Sequence, residues 1–364
     1  MSDDGLKWST APQADPAGDT THRVDAATLT RLATTILRRA GAADEIAATV
    51  ACSLVDADLC GHDSHGVRRL VPYLAAVRQG ALDPLARPVV YSHDGSTARV
   101  DGRRGFGQLA AHAAVDTALD LAARHGTAVV AVGNANHVGR LGEYVERIAD
   151  ADAIGIAVCN ADSTVAPYGG RERLLGTNPL AWAAPRAAGR PAVVTDFATA
   201  ATAEGKLALS AARGDRVPDG QLVGADGAPS TDPGDFYAGG ALLPFGGHKG
   251  YALSVMIEIV GGLLSGAGVS SLPGYDATNG TVFVAVDIAR FLPAHEFRES
   301  TERFCRRLAG TEPTGDRPVL VPGEKEAATR ATRTRDGIPL AGATWRALAD
   351  LPGGPDLDSE GSTP

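Results

Sequence analysis

The sequence predicts an α/β fold, a mixed-sheet core with helical segments at the N-terminal and C-terminal ends of the chain. Two patterns carry this expectation. From Leu109 to Asn160 an Ala-rich helical stretch, the apolar run TAVVAVG, the amphipathic LGEYVERIADA and the apolar run IGIAVCN follow one another. Such alternation of helix and buried strand requires a sheet that is at least partly parallel. Ahead of it, from Asp25 to Gly61, apolar residues recur at three- and four-residue spacing, the mark of amphipathic helices.

In chain order, Met1 to about Thr21 is polar, carries Asp, Pro and Gly and has no apolar core, so it reads as a disordered leader and not as a signal peptide. Two helices follow, broken near Gly41, and SHGVRRLVPYLAAVRQGAL resumes helical spacing until Gly80, a residue suited to a helix C-terminus. RPVVYSHDGSTARVDG reads as two strands around an Asp-Gly turn. Beyond the central alternation, PAVVTDFA and TVFVAVD are further buried strands, with a helix from Tyr251 between them. Arg213 to Gly240, rich in Gly, Pro and Asp, is expected to wander over the surface. The resulting organisation is a leader (1–24), an N-terminal helical segment contributing substrate-site residues (25–90), a mixed α/β cofactor-binding core (91–310), a C-terminal segment returning to the core (311–352) and a disordered tail (353–364).

Composition narrows the function. The chain has 364 residues, of which 44% are hydrophobic, enough for a sizeable core. Its net charge of -9, with no Lys/Arg stripe, opposes binding to nucleic acid. Cys52, Cys60, Cys159 and Cys305 show neither CxxC pairing nor metal-ligand spacing, which fits a reducing, cytoplasmic setting and no bound metal. The longest apolar stretch, Tyr251 to Val269, is interrupted by Glu258 and several glycines and falls short of a membrane span.

Several short segments can carry chemistry. Gly105-Phe-Gly107-Gln-Leu-Ala110 matches a dinucleotide-binding fingerprint. It is rejected because the preceding strand reads as half of a hairpin and the following strand ends in Gly133-Asn134, with no acid to hold a ribose. In Asp63-Ser64-His65-Gly66-Val67-Arg68-Arg69 a helix beginning near Ser64 would put His65 and Arg69 on one face. An imidazole exchanges protons near neutral pH and a guanidinium grips a carboxylate through two bonds, so the pair can orient an acid and protonate its neighbouring atom. His137 lies in NANHVG directly after a strand, where open α/β sheets place ligands. Gly246-Gly247-His248-Lys249-Gly250 opens a long apolar helix and offers amide N–H groups and an ammonium to a phosphate, without the spacing of a nucleotide triphosphatase loop. Asp196, at a strand end, can orient a histidine or bind a ribose hydroxyl, whereas GTNP (176–179) and VPGE (321–324) are turn signals.

Taken in order, DSHGVRRL, RGFGQ, NANHVG, NADSTVAPYGGRERLLGTNPLAWAAP, DFATA followed by EGK, GGALLPFGGHKGYAL and VPGEKE resemble the malate/L-lactate dehydrogenase family. That family also includes ureidoglycolate and sulfolactate dehydrogenases, diketogulonate reductase and cyclic-imine reductases such as piperideine-2-carboxylate reductase. The resemblance runs from about Asp25 to about Leu351. It implies a non-Rossmann fold, a homodimer, and NAD or NADP bound in an extended conformation. It also implies hydride transfer at the α carbon of a small 2-hydroxy/2-oxo acid or cyclic imino acid. Matched onto this chain, it implies acid–base chemistry at His65 with Ser64, His137 being the rival, and a substrate site with Arg69 and Thr177. The cofactor contacts it implies are His137, Val138, Gly139, Asp196, His248, Lys249 and the turn Pro322, Gly323 and Glu324. Val138 stands where many members have Phe, and Ala200 where many have Ser, which leaves pocket size and substrate open. A silent nicotinamide-binding protein, or a specialised-metabolism enzyme on the same fold, is the alternative.

Overall fold

The computed structural model describes residues 21–92, 95–275 and 277–355; the leader up to residue 20, the end of the tail and part of the Asp-Gly turn lie outside them. Strand β1 (Thr21–Val24) leads into α1 (Ala26–Arg39). The Asp25 side chain accepts from the Thr28 amide at 2.8 Å, satisfying one of the free donors at the helix start, while Arg38 and Arg39 face the negative end of its dipole. Helix α2 (Asp44–Leu59) buries Ile46, Val50, Ala51 and Leu54 against α1.

The expected helix starting near Ser64 is replaced by two 3-10 turns, Asp63–His65 and Val67–Arg69, before α3 (Leu70–Arg78) begins. The cause is tertiary. Asp58, reaching over from α2, accepts from the Val67 amide at 2.8 Å, and a Cβ on Gly66 would lie 1.7 Å from its Oδ1. A side chain at position 66 is therefore excluded, and the extended Gly66 backbone breaks the spiral between His65 and Arg69.

Strands β2 (Val89–Ser92) and β3 (Thr97–Asp101) form the expected antiparallel hairpin. β3 is followed by α4 (Gly107–His125) and β4 (Thr127–Gly133), and β3 and β4 pair in parallel. β3 thus serves a hairpin and a βαβ crossover together, which corrects one ground for rejecting the Gly105–Ala110 fingerprint. A stronger ground replaces it: a Cβ on Gly107 would lie 2.1 Å from the Asn136 carbonyl oxygen and 2.6 Å from that of His137. The loop after β4 fills the space over this helix N-terminus where a pyrophosphate would sit.

Helix α5 (Leu141–Asp150), β5 (Ala153–Cys159), β6 (Leu180–Ala184) and β7 (Val193–Phe197) follow. The Gly-rich stretch is more ordered than its composition suggests. After α6 (Glu204–Arg213) it folds into β8 (Leu222–Val223), β9 (Pro229–Ser230), α7 (Pro233–Tyr237) and β10 (Ala241–Leu242), packed around Leu207, Leu222, Phe236 and Leu242. Helix α8 (His248–Ile257) continues as a π-helical segment, Glu258–Leu263. Strand β11 (Thr281–Asp287) then inserts between β4 and β5, antiparallel to both, giving the sheet order β2-β3-β4-β11-β5-β6-β7.

The chain closes with α9 (Ala294–Ala309), α10 (Glu324–Asp336), β12 (Ile338–Ala341) and α11 (Gly342–Ala349). β12 pairs antiparallel with β1, so Ile338, Leu340, Trp345 and Leu348 complete the core of the N-terminal helices. Among the described residues no helix is long and apolar enough to cross a membrane.

Candidate active site

The 3-10 turns and the loop after β4 bring four of the expected residues together. Arg69 Nε donates to the Ser64 carbonyl at 2.8 Å, and Ser64 Oγ lies 2.9 Å from His65 Nδ1. The His65 ring stacks on that of His137, with centroids 5.3 Å apart and an interplanar angle of 29°. Tyr73, on α3, places its hydroxyl 2.8 Å from His137 Nδ1 and accepts from Gln108 Nε2 at 2.8 Å.

Charge acting on the two imidazoles in this pocket is mainly positive. Burial, with the Arg69 guanidinium and then His62, pushes His65 down to about 3. Burial, with Arg69 and His65, holds His137 well below its ordinary value. Both imidazoles are therefore neutral near pH 7 beside a guanidinium whose own proton affinity is lowered by burial. Glu204 acts on Arg69, but its carboxylate is bonded to the Tyr237 hydroxyl; an incoming carboxylate would offset the remaining repulsion and raise both imidazole pKa values.

A cleft of about 220 Å³ adjoins this pocket, bounded by His62, Arg140, Asp196, Phe197, Pro322 and Gly323 among others. Asp196 Oδ2 accepts from the Gly142 amide at 2.7 Å in the first turn of α5. Burial raises its pKa, against the pull of Arg140 and His62. Arg140 is buried and ion-paired with Glu146 at 3.1 Å and Asp56 at 3.2 Å, yet its Nε–H has no partner among the described residues. The Pro322 carbonyl accepts from the Val194 amide at 3.2 Å, joining the expected turn to β7. Phe197 meets Phe245 edge-on at 5.6 Å, so the Gly246–Lys249 segment begins just beyond the cleft. There His248 and Lys249 are exposed, His248 against the Tyr168 ring at 6.1 Å.

Other expected contact residues also make structural contacts. Val138 is 2% exposed within the sheet core; its amide donates to Asn279 Oδ1 and its carbonyl accepts from the Tyr144 hydroxyl. Gly139 turns the chain toward α5 and backs onto the Gln108 side chain. The Glu324 carboxylate is shared between Arg186 at 3.0 Å and the Val321 amide at 3.0 Å, a scaffold role. Thr177 gives its carbonyl to the Thr199 amide at 2.8 Å and shares no hydrogen bond with Arg69 among the described residues.

Sequence reasoning missed His62, Tyr73, Gln108, Arg140 and Glu258. Buried Glu258, at the start of the π-helical segment, accepts from the Gly176 amide, the Asn160 and Asn178 side chains, and both the amide and hydroxyl of Ser270. It anchors the GTNP turn. The only advance signal was an acid interrupting an apolar stretch. Among the described residues no cluster of His, Cys, Asp or Glu is arranged to hold a metal ion.

A non-Rossmann α/β scaffold that presents a Ser-His pair, a second histidine and an arginine in one pocket defines a class of oxidoreductase. The chain belongs to the malate/L-lactate dehydrogenase family, whose model matches residues 24–349. It is 38% identical over 330 residues to an L-lactate dehydrogenase of Cupriavidus necator, covering 88% of this chain and 94% of that one. It is 35% identical over 337 residues to hydroxycarboxylate dehydrogenase B of Escherichia coli K12, covering 90% and 93%. Among solved structures it resembles a delta1-piperideine-2-carboxylate reductase from Pseudomonas syringae, with a TM-score of 0.82 and 34% identity, covering 91% of this chain and all of that one.

Proposed function

We propose that the enzyme transfers a hydride between NAD or NADP and the α carbon of a small 2-hydroxy/2-oxo acid or cyclic imino acid. One observation carries the reading: a guanidinium and two neutral imidazoles converge in a single half-buried pocket. The residues fit a dinucleotide. The adjoining cleft combines an unpaired Arg140 N–H with the acceptor Asp196 and apolar Phe197 and Pro322, a donor set suited to a ribosyl group. At about 220 Å³ it takes one part of such a ligand. Exposed His248 and Lys249, beyond Phe197, suit a phosphate on an extended remainder.

When bound, the nicotinamide supplies or accepts the hydride. Arg69 grips the substrate carboxylate and fixes the adjacent carbon, removing much of the orientational barrier. His65, with Ser64 at its Nδ1, gives a proton to the reacting oxygen or nitrogen on reduction and takes it back on oxidation. Its depressed pKa rises once the carboxylate balances Arg69, so substrate binding draws a proton into the site.

The enzyme is expected to act as a homodimer in the cytoplasm. Exposed Met256, Ile259, Leu263 and Leu264 form an apolar stripe along α8 and its π-helical continuation, which supports burial against a second copy. The four cysteines are unpaired. Oxidation of NADH or NADPH by pyruvate, oxaloacetate and piperideine-2-carboxylate tests the function. Turnover of at least one is expected; tight cofactor binding with no turnover across a broad panel overturns it.

A further inference from the structure

Two buried side chains outside the proposed acid–base pair are joined by consecutive hydrogen bonds to His137, whose ring stacks on His65. Gln108, fully buried in the first turn of α4, donates from Nε2 to the Tyr73 oxygen, and the Tyr73 hydroxyl lies against His137 Nδ1, both at 2.8 Å. Tyr73 is itself 4% exposed and held edge-on by Phe106 at 5.7 Å, so the hydroxyl cannot swing to water. A phenol has one hydrogen. Its oxygen accepts from Gln108, and among the described residues the buried O–H has no acceptor other than His137 Nδ1; leaving that hydrogen unpaired is costly, so it goes to Nδ1, which must present a lone pair. The ring proton of neutral His137 then sits on Nε2.

His65 has no such constraint. Its Nδ1 partner is a serine hydroxyl, which donates or accepts as it rotates, and among the described residues nothing else hydrogen-bonds Ser64 Oγ to fix that rotation. The two stacked imidazoles therefore differ: one has its tautomer dictated by two buried neighbours, whereas the other is free to change protonation state.

We propose that Tyr73 and Gln108 are positioning residues that lock His137 as the Nε2–H tautomer, making it a fixed hydrogen-bond donor to the reacting oxygen or nitrogen and leaving proton transfer to His65. The catalytic half of this statement rests on the function proposed above; the tautomer does not. The orientation of the Gln108 amide follows from its surroundings. Its Oε1 is buried without a partner among the described residues, and turning the amide over would strand N–H groups instead, the rarer situation in folded proteins.

The test uses full-length enzyme labelled with [15N]histidine, whose nine histidines are assigned with the help of His137→Gln. Long-range 1H–15N correlations should show wild-type His137 as a single Nε2–H tautomer. Tyr73→Phe and Gln108→Leu should each bring in the Nδ1–H form. With a turned-over oxo acid they should lower kcat by about tenfold to a hundredfold, the usual effect of losing an orienting partner, and leave KM, set by Arg69, nearly unchanged. Two variants at different sites guard against a local packing defect in either. An Nδ1–H signal at His137 in the wild type, or variants that leave tautomer or kcat unchanged, overturns the proposal. Because the spectrum needs no turnover, the two readings fail separately. An enzyme inert toward the whole panel refutes the function, and an active enzyme with an unlocked His137 refutes the positioning role.

Discussion

Asp58 shapes the turn that delivers Ser64 and His65, and Asp58→Asn exposes what its burial does to stability. The carboxyl is 1% exposed and accepts from the Val67 amide at 2.8 Å. Burial pushes it from the ordinary 3.8 up to about 8, with Asp63 adding to the rise and the Val67 bond, Arg333 and Arg68 opposing it. Because the folded value lies above the unfolded one, this group's stabilising contribution is complete below about pH 4 and is lost as pH climbs toward about 8. Each pH unit in that window is worth about 1.4 kcal/mol, so from about pH 5 to about pH 7 the wild type should lose about 3 kcal/mol through Asp58. Asparagine keeps the acceptor for Val67 and does not titrate. Urea unfolding of both proteins at these two pH values, at fixed concentration, should therefore show Asp58→Asn gaining about 3 kcal/mol on the wild type. Parallel pH dependences would refute the claim that this carboxyl is held neutral by burial.

Arg69→Lys keeps the charge but loses the two-pronged grip on a carboxylate; KM for the oxo acid should rise about tenfold to a hundredfold in steady-state kinetics, the cost of one charge-assisted bond. Glu258→Gln puts an NH2 group against donors that now meet a carboxylate oxygen; denaturant unfolding should show a loss of about 3 kcal/mol or more. Gly107→Ala drives a methyl into the Asn136 and His137 carbonyls, so unfolding should show a loss of about 1–3 kcal/mol and kcat should fall with the displaced His137 loop.

Much of the central sheet was legible because β4 and β5 are seven-residue apolar strands flanked by periodic helices. Its order was not. β11 follows β5 by more than a hundred residues yet inserts between β4 and β5, and local periodicity carries no information about such pairing. The spacing of His65 and Arg69 suggested one helix because the opposing contact, Asp58 over Gly66, arises only when α2 is in place. β6 escaped because it is short and leaves Trp182 half exposed.

Within the site, His65, Arg69 and His137 could be found because imidazole and guanidinium in short glycine-containing segments stand out as chemistry. Tyr73 and Gln108 could not: each reads as one more residue on a helix, and only their burial beside His137 gives them meaning. Val138 and Glu324 show the converse. Their structural contacts, core packing for Val138 and the Arg186 ion pair for Glu324, were not legible in the motifs that contain them.

The account turns on where a substrate carboxylate binds, and a crystal structure with nicotinamide cofactor and oxamate, an unreactive analogue of a 2-oxo acid, measures that directly. The carboxylate should lie on the Arg69 guanidinium, with the neighbouring carbonyl oxygen within hydrogen-bonding distance of His65 and of His137 Nε2. Oxamate bound away from Arg69, or a cofactor whose nicotinamide ring lies outside the space between this pocket and the Asp196 cleft, would contradict it.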